Sequence, residues 1–108
     1  MIVPPTPPQE HARLASLYAY GILDTPAEPS FDALTRLAAR VADAPVSLIT
    51  LVDARRQWFK SCHGLQLTET PRDVSFCGHV VADERPLVVP DTHHDPRFHD
   101  NPFVTGAP

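Results

Sequence analysis

The stretch "VSLITLVDARRQWFKSCHG", residues 46–64, decides how the fold is read. Its first part, 46–53, is almost wholly apolar and rich in β-branched residues. It is too short to need a helix and apolar at both alternations, which predicts a central strand covered on both faces. "ARR" (54–56) makes a tight turn. "QWFKSCHG" (57–64) follows as a second strand, with Trp58, Lys60 and Cys62 on one side and Phe59, Ser61 and His63 on the other. The two runs predict an antiparallel hairpin.

Upstream of the hairpin, Ser30 is placed to cap a helix whose first turn holds Asp32, where the helix dipole favours an acid. Phe31, Leu34, Leu37, Ala38 and Val41 form one apolar stripe, the face such a helix turns to a core. "DAP" (43–45) ends it, because the residue before proline avoids the helical region. Further back, Leu14, Leu17 and Tyr18 recur at helical spacing in "QEHARLASLYAYG" (9–21), and Gly21 stands where a helix stops. "ILDTPAEP" (22–29) is a turn-rich connector, and "MIVPPTPP" (1–8) reads as an extended, loose tail. The chain thus divides into a proline-rich tail (1–8), a helix with its connector (9–29) and a main domain (30–108).

Downstream, 64–72 reads as a polar loop ending in "TPRD". "PLVVPD" (86–91) reads as another short strand, with Pro90 at its end. Beyond it lies loop, with one helical turn at "DPRF" (95–98), where Asp95 caps and Pro96 takes the first position.

Bulk properties narrow the function. A chain of 108 residues builds one small domain, burying roughly two thirds of its unfolded surface. A net charge of -4 and scattered Lys and Arg argue against nucleic acid. No apolar run is long enough for a membrane helix, and the N-terminus lacks the basic start and apolar run of a signal peptide. With only Cys62 and Cys77, the expectation is reduced thiols in a cytoplasmic protein.

Cys77 and His79 sit in "RDVSFCGHVV" (72–81). On a strand they would point the same way and make a nucleophile–base pair; on a helix, two residues apart is about 200° and they diverge. Ser75 as N-cap, with Phe76 and Val80 four apart, favours the helix and removes the pair. Cys77 then lies in the first turn, where the dipole lowers a thiol's pKa and a redox sensor becomes conceivable. The ordinary reading is a small buried hydrophobe.

His93, His94 and His99, interleaved with Asp91, Asp95 and Asp100, are metal-ligating types, but their spacing fits no zinc motif and a solvated loop is expected. The acidic pair Asp83 and Glu84 falls at a turn beside Pro86, also a solvated setting. No phosphate-binding glycine loop or serine-nucleophile motif occurs. No catalytic residue, metal site or cofactor is assigned.

In order, the helix, the two strands, "TPRDVSFCGHVV", "PLVVPD" and "DPRFHDNPFV" resemble the GAF family, small-molecule-sensing domains of bacterial signalling proteins. "RLASLYAYGILDTPAEPSFDALTRLAA" is similar to the segment that opens many such domains, and the likeness runs from about residue 13 to residue 105. The resemblance implies an α+β fold, an antiparallel sheet flanked by helices. It also implies truncation after about three strands, the remainder lying in a longer sensor or supplied by a partner chain. It places a ligand pocket between the sheet and the short helix that follows, with Trp58, Cys77, His79, Asp91 and Phe98 as candidate ligand-binding residues. The implied role is a non-enzymatic input module sensing a small molecule or redox change. Its output domain would be a two-component histidine kinase, a cyclic-di-GMP enzyme or a phosphatase. A homodimer through the helix near residues 13–20 is also implied. The alternatives are a thiol-dependent redox enzyme, like the GAF-like reductases of free methionine sulfoxide, and a non-binding structural or dimerisation fragment.

Overall fold

The structure, a computed structural model, describes residues 1–106. Ala107 and Pro108, the end of the segment expected at 30–108, lie outside the described residues. The elements run α1 (Glu10–Ala19), α2 (Pro29–Ala42), β1 (Ser47–Val52), β2 (Arg56–His63), β3 (Glu69–Pro71), α3 (Phe76–Asp83) and α4 (Pro102–Thr105). The three strands form one antiparallel sheet in the order β1-β2-β3, so the fold is α+β as expected.

The hairpin forms where the sequence places it. Asp53 closes its turn: the Asp53 N–H donates to the Arg56 carbonyl (2.8 Å), and the carboxylate accepts from the Ala54 N–H (2.7 Å) and Arg56 Nε (3.1 Å). Short polar side chains that bond their own following backbone are the usual makers of such turns. Two details differ from the simple alternating picture. β1 is an edge strand of the described sheet, and only Val52 in it is fully buried, so it is not covered as a central strand would be. The register also shifts between Ile49 and Thr50: Ile49 faces Ser61 while Thr50 faces Phe59, leaving Lys60 as the extra residue of a β-bulge.

The bulge turns consecutive side chains to the same face. Lys60 Nζ donates to Thr25 Oγ1 (2.8 Å) and the Pro26 carbonyl (2.7 Å). Next to it, Ser61 Oγ donates to Asp32 Oδ1 (2.7 Å) and lies 2.9 Å from Thr35 Oγ1. Ser61 therefore faces α2 with Lys60, not the opposite side with Phe59.

The same contacts explain the seating of α2. Thr35 and Ala39 are its buried residues, whereas Leu34, Leu37 and Val41 are 55%, 58% and 79% exposed. The apolar stripe that periodicity selects does not face the sheet. Polar anchors at Asp32 and Thr35, and the small Ala39 that permits close approach, set the rotation instead. The helix also starts earlier than Ser30. Pro29 takes the first position behind an extended Glu28, because proline's fixed φ suits it and its missing N–H would be unpaired there anyway.

The third strand is not at 86–91. That segment contains no strand, carries a proline at 86 and at 90, and leaves Val88 85% exposed. Instead Glu69, Thr70 and Pro71 in the expected loop pair with β2, where Pro71 is tolerated at an edge.

α1 buries only Leu17 and is fastened chiefly by polar bonds. Arg13 Nη1 donates to the Val52 carbonyl (2.7 Å), Tyr18 donates to Asp53 Oδ1 (2.7 Å), and Glu10 accepts from Arg72 Nη1 (2.6 Å). The N-terminal arm is docked as well, against the expectation of a loose tail. Pro4 and Pro7 are buried, and the Ile2 N–H donates to the Arg97 carbonyl (3.2 Å).

Candidate functional site

Ser75 organises the segment that matters. Its hydroxyl donates to the Arg72 carbonyl (2.7 Å) and accepts from the Gly78 N–H (3.0 Å), capping α3 as its sequence position predicts. On this helix Cys77 and His79 point apart. His79 is buried, its Nε2 lies 3.1 Å from the Ile2 carbonyl, and its ring packs edge-on to Phe98 at 5.1 Å. Cys77 turns to the sheet, where the Thr50 hydroxyl donates to its sulfur (3.6 Å) and itself accepts from Gln57 Nε2 (2.9 Å). The two side chains do not meet as a nucleophile and its base.

Between the sheet and α3 lies a cavity of about 280 Å³. Its walls are Leu48, Phe59, Leu67, Val74, Phe76 and Phe103, with Gln57, Thr70, Ser75 and Cys77 supplying polar groups. Its size falls just below the range usual for small-ligand sites, and its mainly apolar lining with few polar points is typical of them. A second cavity, about 430 Å³, opens on the other face between α2 and β2, beside Asp32, Thr35, Lys60 and Ser61. Asp32, Thr35 and Ser61 are bonded to one another, and Lys60 is held by Thr25, the Pro26 carbonyl and Glu28 (2.6 Å). A ligand there would have to displace those bonds.

Of the expected ligand-binding residues, only Cys77 lines the apolar cavity. Trp58, buried between Gln57 and Phe59 along β2, alternates to the α2 face. His79 and Phe98, the latter 1% exposed, form a small core under the N-terminal arm. Asp91 is exposed and caps the Thr92–His94 turn through the His93 N–H (3.0 Å), a bond that holds its carboxyl below the usual range. Asp95 bonds the Arg97 N–H (2.9 Å), and the Arg97 guanidinium beside it lowers its carboxyl to about 2. His93 and His94 stand 68% and 83% exposed around Asp91. Among the described residues no group of three or more His, Cys, Asp or Glu is placed to hold a metal. Both cysteines are free thiols, and that of Cys62 points to the Leu65 carbonyl (3.3 Å).

Gln57, Thr70 and Phe103 line this cavity without being expected there from the sequence. The signal for Gln57 was present, since it shares the strand alternation of Phe59. Phe103 sits on α4, which the Asn101-Pro102 pair announces: Asn101 Oδ1 caps the Phe103 N–H (2.9 Å) and its amide donates to the Val74 carbonyl (2.9 Å).

The model of the GAF domain family matches residues 26–108, well over half of the chain. The chain belongs to the GAF domain family. The matched part of this GAF domain begins just before α2 and takes in the sheet, the apolar cavity and α3. The chain is also similar to a cyclic di-GMP phosphodiesterase of Pseudomonas aeruginosa, 38% identical over 108 residues. That match covers 100% of this chain and 18% of the phosphodiesterase, so the GAF domain described here spans under a fifth of that relative's length. GAF domains are sensor modules of signalling proteins. No helix among the described residues is long and apolar enough to cross a membrane.

Proposed function

We propose that this GAF domain senses a compact, mainly apolar small molecule held between its sheet and α3, and that the response passes to an output domain in the same protein. The observation that carries the reading is the cavity: apolar on most sides, with Gln57, Thr70, Ser75 and Cys77 as its polar points. Gln57 and Thr70 can fix the orientation of a ligand bearing one or two hydrogen-bonding groups. Cys77, on the wall and in the first turn of α3, extends the same site to redox sensing. By the likeness to the phosphodiesterase, the output is a cyclic-di-GMP enzyme; two free thiols suit a cytoplasmic setting. The domain itself transmits a change in packing rather than turning over substrate.

Thermal melting in the presence of indole, as a probe of the required size and polarity, tests this. Occupancy at about ten times Kd stabilises by ~1.4 kcal/mol and raises the midpoint by several degrees in a domain of this size. Cys77→Phe, which fills the cavity, should abolish the shift. An equal shift in both proteins, or none in either, contradicts the site. Turnover of free methionine sulfoxide with a dithiol reductant, lost in Cys77→Ser, would favour the thiol-enzyme reading instead.

A further inference from the structure

The N-terminal arm is bonded at several points to the elements that carry one wall of the cavity. The Ile2 N–H donates to the Arg97 carbonyl (3.2 Å), and the Ile2 carbonyl lies 3.1 Å from His79 Nε2. Since a carbonyl can only accept, the His79 proton sits on Nε2. The Met1 ammonium pairs with Asp100. Pro4 is buried against Gly78: a Cβ at position 78 would fall 2.6 Å from Pro4 Cγ, so only glycine lets the arm lie this close to α3. At its other end, the Pro7 carbonyl accepts from the Glu10 N–H (3.1 Å), so the arm runs directly into α1. α1 is in turn tied to the hairpin through Arg13 and Val52.

We propose that residues 1–7 form a strap that holds α3 against the domain, so that the position of the arm sets the position of the cavity's α3 wall. The strap is held by few contacts. Met1, Ile2 and Val3 are 42%, 50% and 50% exposed, and their bonds to the rest of the domain are the two at Ile2 and the Met1–Asp100 ion pair. Segments with such sparse burial open at low cost while the rest of a fold stays closed. α3 moves with the strap because His79 and Gly78, its contacts, share one helical turn with Ser75 and Cys77 on the cavity wall. Coupling of this kind is reciprocal: whatever shifts α3 from the cavity side also loosens the arm.

The strap can be tested without a ligand, and so independently of the sensing role. In the whole chain, Pro4→Gly and a deletion of residues 1–4 are compared with the unaltered protein for Cys77 reaction with Ellman's reagent, with Cys62 as internal reference. Hydrogen exchange is followed over α3 and over the hairpin. The expected result is labelling of Cys77 faster by about tenfold in the deletion and less in Pro4→Gly, with faster exchange in α3 and an unchanged hairpin. Cys77 labelling within about twofold of the unaltered protein in both variants overturns the proposal. So does equal acceleration of exchange in α3 and the hairpin, because the arm would then be part of a common core rather than a local strap.

Discussion

Glu10 ties α1 to the segment after β3: it accepts from Arg13 in its own helix and from the buried Arg72 beside the sheet, and it is largely covered itself. Bonds from Arg13 first, then Arg72, lower its carboxyl to about 2 from an ordinary value of 4.5. The folded state therefore holds the ionised form more tightly than the unfolded state does. Its contribution is complete above about pH 4.5 and fades as the pH falls toward 2. Glu10→Gln should cost about 1–3 kcal/mol at neutral pH, since it leaves Arg72 with a weaker acceptor. It should also flatten the loss of stability between pH 4.5 and pH 2. Urea unfolding of both proteins at several pH values measures this. At Ser75, replacement by alanine should cost about 1 kcal/mol and lower the melting midpoint by several degrees. The two serines show what was legible at this scale. Ser75 caps α3 as its position predicts, because nothing competes with it there. Ser30 does not cap α2, because the proline before it takes the first helical position.

At the scale of elements, the hairpin, α1, α2 and α3 could all be read from periodicity and turn residues, but the rotation of α2 could not. Hydrophobic periodicity selects Leu34, Leu37 and Val41, whereas the hydrogen bond that Ser61 donates to Asp32 and its hydroxyl contact with Thr35 turn the opposite side to the sheet. Those bonds exist only because a bulge at Lys60 redirects Ser61, and a bulge leaves no mark in strand alternation. The structure therefore predicts an inverted pattern of tolerance on α2. Leu37→Gln should change stability by less than about 0.5 kcal/mol, and Ala39→Leu should cost about 1–3 kcal/mol by overpacking the 5%-exposed site. Chemical denaturation of the two variants distinguishes this from the stripe-inward arrangement, in which Leu37→Gln would be the damaging change. The strand expected at 86–91 failed for a related reason. "PLVVP" has strand-forming residues, but its prolines remove ladder donors, and pairing went to Glu69–Pro71, whose polar composition reads as loop.

For the molecule as a whole, the order of segments was enough to identify a GAF-like plan, which the family match bears out over residues 26–108. The candidate site was less legible. Which side chains converge depends on the placement of α3 and of Phe103 on α4, set by contacts between residues far apart in sequence, such as Asn101 with Val74. His79 and Phe98 were drawn instead into packing beneath an arm that proline content alone described as loose. One cavity beside the sheet is mainly apolar and another, next to α2, is mixed in character; the proposed sensing site is the apolar one. The most direct measurement is an amide and methyl NMR titration of the chain with indole. The predicted result is saturable shifts confined to Leu48, Gln57, Leu67, Val74, Cys77 and Phe103. Shifts centred instead on Thr35, Lys60 and Ser61, or spread over the whole surface without saturation, would contradict it.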